Sequence, residues 1–249
     1  MADKTITPER RQQLLDEYAD INVDHEWWDS TVEDFVSVLE AFGLFVSTRP
    51  VTLNNGKTRQ DPMVFFSLSY SQGDGSSFNL RSSTLHEIWE CGRKTLDDPG
   101  SEYNSDPKTW TGYLEACYKL WSAINSIAPV LLPMNCELVK DMMQGATVSA
   151  TSQRDSYVRV EYDYSDVDNA DGFDVDNPVH MKLYKDIERF VEDSLKELIE
   201  DINAELFSSL QSEYEDLTTE ESVWDTIVAN ELDTPGDDDD DDEELDEAA

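Results

Sequence analysis

Apolar residues recur at helical spacing in EWWDSTVEDFVSVLEAFG, where Trp28, Val32, Phe35, Val36, Leu39 and Phe42 share one face and Gly43 supplies the stop. Pro8 predicts a shorter helix running through Tyr18. Thr84 to Arg93 and Thr109 to Ile127 read as two more, the latter ended by Pro129. From His180 to Leu217 a stripe of Leu183, Ile187, Val191, Leu195, Leu198, Ile202, Leu206, Leu210, Tyr214 and Leu217 persists, which predicts one long C-terminal helix. Thr218 with Glu221 reads as a capping box that opens a last helix, with Val223, Ile227 and Val228 inward. Strand signals lie in LFVSTR (44–49), MVFFSLSY (63–70) and SYVRVEYDY (156–164). In the last, Val158, Val160, Tyr162 and Tyr164 alternate with Arg159, Glu161 and Asp163. Asn55-Gly56 reads as a loop or hairpin turn between the first two. The pattern predicts an α+β fold: a small antiparallel sheet packed by helices, one of them long and C-terminal.

Charge changes the picture more than composition does. The chain holds 18 Lys+Arg against 56 Asp+Glu, a formal net charge of −38. Ten acids fall between Asp237 and Glu247, interrupted only by Leu245, and predict a disordered tail over 236–249 behind one domain over 1–235. Without those ten acids the rest of the chain still carries −28. Direct binding to DNA or RNA needs cations that displace counterions from phosphates, so that class is disfavoured and a basic partner is the natural complement. No apolar run predicts a leader or a membrane span. Cys91, Cys117 and Cys136 are odd in number and lack a CxxC pair, which predicts reduced thiols and an intracellular setting.

Candidate chemistry is sparse. Ser71, Gln72, Gly73, Asp74 and Gly75 form a glycine-rich turn after a strand, but no Lys follows as in a phosphate loop. The structural reading is a tight turn with Gly73 and Gly75 at positive φ and Asp74 bonded to its own backbone; the functional one is a recognition turn. HEIWE, from His86, is half of a zinc helix: Glu90 stands where a second His is needed, so His86 is expected at a partly exposed helix position. Neither a cofactor nor a metal site is expected. DVDNADGFDVDN (166–177) fails as a calcium loop, because aligning Gly172 to the invariant glycine puts Val167 and Pro178 at ligand positions. Trp27 and Trp28 are adjacent, so one ring faces the core more readily than the other. On the long helix, Glu188, Glu192, Asp193, Glu197, Glu200 and Asp201 recur opposite the apolar stripe and predict an anionic row. The stripe itself reads as core or as the seam of a dimer.

Three segments carry a family likeness. FFSLSYSQGDGSSF resembles the F-S-G-F-x-S-Q-G-D-G-A-S-F signature of an uncharacterised family encoded by tailed phages and prophages. LQSEYEDLTTEESVWDTIVANEL resembles its C-terminal E-Y-x-Y-L-T-S-x-E-x-V-x-x-x-I-x-A-N-E-Y, and EWWDSTVEDFVSVLEAFG its W-W-x-x-x-x-x-D helix. Leu68 stands in place of the usual glycine and Leu232 in place of an aromatic. The resemblance spans Glu26 to Leu232 and implies a phage origin and an α+β fold, with no activity or catalytic residue to carry over.

Two functions are therefore expected in contrast. One is a non-enzymatic acidic protein of the host cytoplasm that occupies a basic, nucleic-acid-binding host protein by mimicking nucleic acid. The other is a small hydrolase or antitoxin-like regulator using the SQGDGSSF turn. Adaptation to a saline cytoplasm would give the same acidity without a partner.

Overall fold

The computed structural model describes residues 6–69, 73–101, 103, 110–128, 132–153 and 157–233. Ser71, Gln72 and the acidic tail lie outside them. The fold is α+β, with helices around small antiparallel sheets. Two compact units divide the chain: residues 1–27 with 212–249, and residues 28–211.

In the first unit, α1 (Pro8–Glu17) starts where Thr7 accepts the Arg10 N–H and proline fills the first turn. Helix α8 (Glu220–Ala229) closes on α1, and Leu14, Leu15, Val223 and Ile227 form a small core. Thr219, not Thr218, caps α8 by accepting the Ser222 N–H, while the Thr218 hydroxyl turns back to Tyr214 O. Val223 and Ile227 face inward as expected, but Val228 is 44% exposed, because the position after the buried Ile227 lies about 100° round the helix.

In the second unit, α2 (Asp29–Ala41) buries Val32, Phe35, Val38 and Leu39. Val36 is only partly covered, so the buried face turns toward Val38. Gly43 ends the helix at φ +76°. The expected strand at 44–49 is split. Val46 makes a single antiparallel bridge to Leu80, then β1 (Thr48–Thr52) leaves to pair with β2 (Thr58–Pro62) across Asn55-Gly56. A second hairpin joins β3 (Val64–Ser67) to β4 (Gly75–Phe78), and β5 (Leu80–Thr84), β6 (Thr147–Gln153) and β7 (Tyr157–Asp163) form an antiparallel sheet in that order. Strands β4 and β6 lack the apolar alternation that marks β7.

Helix α3 (Leu85–Asp97) opens with a reciprocal Thr84/Glu87 capping box, and α4 (Gly112–Asn125) lies against it. Their contact is close: a Cβ on Gly92 would fall 2.3 Å from the Trp121 ring. Helix α5 (Glu137–Gln144) precedes β6. The single long helix expected from the stripe is two, α6 (Pro178–Asp193) and α7 (Leu195–Leu217), with Ser194 leaving helical geometry at φ −123° and ψ −35°. Leu183, Ile187, Val191, Leu195, Ile199, Ile202, Leu206 and Leu210 are all fully buried within this one chain, with Ile199 taking the place expected of Leu198. The stripe is core. Among the described residues no helix is long and apolar enough to cross a membrane.

Candidate functional site

The hairpin between β3 and β4 is where the glycine-rich turn falls. Gly75 is not in the turn: it is the first residue of β4 and pairs with Ser67. Asp74 reaches across the hairpin. Its Oδ1 accepts from the Ser69 N–H at 2.9 Å, the Ser69 hydroxyl at 2.7 Å and the Ser67 hydroxyl at 3.4 Å. These bonds satisfy the carboxylate and tie the end of β3 to the start of β4. Behind it, the buried Ser76 hydroxyl donates to Asn203 on α7, whose Nδ2 returns a bond of 2.9 Å to Ser76 O. Ser77, fully buried, shares a 2.7 Å hydroxyl bond with Ser152 on β6. The polar side chains here hold strands together.

The anionic row is divided by the break at Ser194. Glu188, Glu192 and Asp193 lie on α6; Glu197, Glu200 and Asp201 lie on α7. Glu192 accepts the Tyr164 hydroxyl at 2.6 Å, and Glu200 stands 3.6 Å from Lys196. Glu188, Asp193, Glu197 and Asp201 make no ion pair among the described residues, although the charge of Asp201 reaches Lys119 on α4. From Glu197 to the end of the chain the sequence offers no Lys or Arg to neutralise them.

A cleft of about 530 Å³ lies where α3 meets α5, lined by His86, Trp89, Glu90, Arg93 and Lys140. The first four are one face of α3 at i, i+3, i+4 and i+7. His86 is not the partly exposed residue expected from its position: it is only 8% exposed, because its ring stacks on Trp89 at 6.0 Å and 24°. Its Nδ1 is buried without a partner, and Nε2 faces Glu90 Oε2 at 3.7 Å. Lys94 engages the other oxygen of Glu90 at 3.1 Å, and Arg93 pairs with Asp97 at 3.2 Å. With one imidazole nitrogen sealed and the other toward a carboxylate, neither is presented to the cleft as a free base.

Burial lowers the His86 pKa below its ordinary 6.5, and the opposing charge of Glu90 does not offset it. A histidine depressed in the fold binds fewer protons there than when unfolded. Its contribution is therefore present above pH 6.5 and is lost as pH falls toward the folded pKa. His86→Phe, which keeps a ring in the slot and removes the titration, is expected to flatten this loss. The thermal midpoint of the variant minus that of the parent should stay level from pH 8 to about 7 and rise as pH falls from there to 5.5. A difference that stays constant over that range would refute the assignment.

In the aspartate-rich loop at 166–177, Asp166 Oδ1 accepts from the Asn169 amide, and Asp174 Oδ1 accepts from the Asp176 N–H. The described His, Cys, Asp and Glu side chains include no group of three or more placed to hold a metal ion. The three cysteines are free thiols, and burial pushes the Cys117 thiol far up. Trp28 packs edge-on against Phe66 at 5.5 Å, whereas Trp27 belongs to the first unit and meets Tyr214 at 5.6 Å.

An acidic α+β chain with structural polar bonds in its β3–β4 hairpin is thus the class the geometry defines. Residues 27–220 match the family described as a domain of unknown function, DUF8835, and the chain belongs to that family. No curated protein and no solved structure matches it.

Proposed function

We propose that this chain is a phage-encoded, non-enzymatic interaction protein whose folded body occupies a basic host protein that normally grips DNA or RNA. The observation that carries this reading is the set of carboxylates on α6 and α7 that make no ion pair among the described residues, Glu188, Asp193, Glu197 and Asp201, in a chain of net charge −38. Within each helix such charges are held at fixed spacing, as for Glu197 and Asp201, an i, i+4 pair about 6 Å apart along the axis of α7. A rigid array meets a basic groove at a lower ordering cost than a flexible acidic segment does. The resemblance to phage-encoded proteins supports the host setting.

Of the turn's described residues, Asp74, Ser76 and Ser77 bond between strands or to α7, which supports a structural role for them. Immobilised full-length protein should retain a host nucleic-acid-binding protein and release it to duplex DNA. With that partner purified, affinity should fall steeply between 50 and 300 mM salt, as expected when screening shortens to a few ångströms. The fourfold variant Glu188→Gln, Asp193→Asn, Glu197→Gln, Asp201→Asn should bind more weakly at every salt concentration. Salt-insensitive binding, or a variant that binds like the parent, would overturn the proposal.

A further inference from the structure

A second cleft in the larger unit has a chemistry unlike that of the His86 cleft. It encloses about 400 Å³ and is lined by Asp34, Val38, Tyr103, Trp110, Tyr113 and Ser209, among others. Among the described residues, none that lines it is Lys or Arg. Its rings are fixed from behind. Phe35 meets Tyr113 edge-on at 5.4 Å and 88°, and Trp110 stands edge-on to both Tyr118 at 5.2 Å and Phe42 at 6.4 Å. The Tyr113 hydroxyl donates to Asp34 Oδ2, and Asp34 Oδ1 has no hydrogen-bond partner among the described residues. Burial first, then Asp34, pushes the Tyr113 phenol well above its ordinary range, so it remains a donor.

We propose that this cleft binds an alkylammonium group, of the kind a lysine side chain presents. Ring faces attract a cation through their quadrupoles, and the effect strengthens where water is excluded. The open oxygen of Asp34 can accept a charge-assisted bond from an ammonium N–H. An anion would meet the Asp34 carboxylate, and a neutral alkyl group would gain apolar contact alone. Acidity by itself would attract cations anywhere on this chain. What singles out this cleft is that three aromatic residues line it together with one carboxylate, whose Oδ2 is held by Tyr113 and whose Oδ1 has no hydrogen-bond partner among the described residues. The inference deepens the reading above, since a basic partner would supply the lysine. Its test uses small cations and the protein alone, so a partner that fails to bind leaves it standing, and its own failure leaves the charged face untouched.

Tetramethylammonium and N-acetyl-lysine methylamide would be titrated into the full chain at constant ionic strength while the Trp110 indole N–H resonance is followed. Saturable shifts are expected with both cations and not with tert-butanol, a neutral body of similar shape. Asp34→Asn should weaken N-acetyl-lysine methylamide by roughly tenfold, through loss of a charge-assisted bond, and tetramethylammonium, which has no N–H to donate, by less. Asp34 is exposed and asparagine still accepts the Tyr113 hydroxyl, so this variant is expected to fold. Asp193→Asn, remote from the cleft in sequence and absent from its lining, should change nothing there. The proposal is overturned if tert-butanol shifts Trp110 as strongly, if the shifts do not saturate, or if Asp34→Asn leaves both affinities intact.

Discussion

Gly43→Ala is expected to lower the thermal midpoint of the larger unit by roughly 10 °C, at a few degrees per kcal/mol for a domain of this size. Two independent costs converge on that position. Its φ of +76° lies in the left-handed region, which costs an L-residue about 1–2 kcal/mol. An added Cβ would also stand 2.8 Å from Glu87 O and 2.9 Å from Ile88 Cα. Both are backbone atoms of α3, which cannot swing aside as a side chain can, so overpacking adds about 1–3 kcal/mol. Gly56 separates the two terms. It has nearly the same φ, +77°, with nothing within 4 Å of its missing Cβ. Gly56→Ala should therefore show the conformational cost alone, a shift of a few degrees. Equal losses at the two positions would mean that α2 and α3 do not approach this closely.

Asn203→Leu is expected to cost about 2 kcal/mol in chemical denaturation, the usual penalty for orphaning a buried polar group. The side chain of Asn203 accepts the Ser76 hydroxyl at 3.0 Å and donates to Ser76 O at 2.9 Å, pinning β4 to α7 across 127 residues of sequence. Leucine would keep the volume and leave the Ser76 carbonyl with no amide to meet it. Ser76 is 1% exposed, so water does not readily take its place. Ser76→Ala removes the other half of the contact. The double variant should then be less destabilised than the two single losses together, by at least about 0.5 kcal/mol. Strict additivity would show that the pair does not act as one unit.

Much of the helical framework was legible along the chain, because the devices that fix it are local. Thr84 with Glu87, Pro8 after Thr7, and Gly43 after the apolar face of α2 all act within a turn of the residue they stop or start. Strand β7 was equally plain from its alternation. The break at Ser194 was not. Apolar residues continue at helical spacing through Val191, Leu195 and Ile199, with no glycine or proline between them, and the break shows only in the folded backbone, where Ser194 leaves helical geometry. Strands β4 and β6 escaped for a related reason. Gly75–Phe78 and Thr147–Gln153 are rich in hydroxyl residues that read as turn or loop, and they become buried strand because Ser77 meets Ser152 and Ser76 meets Asn203.

The sequence by itself determined the α+β class, the excess of carboxylates and the placing of Glu188, Glu192, Asp193, Glu197, Glu200 and Asp201 on helices, since composition and periodicity need no distant partner. Tertiary structure alone decided that His86 is buried, that Asp74 clasps the end of β3, and that Asp34, Tyr103, Trp110 and Tyr113 share a cleft. The physical reason is range: capping and amphipathic spacing act over three or four residues, whereas burial and hydrogen-bond satisfaction are settled by groups that the chain separates widely and only the folded core brings together.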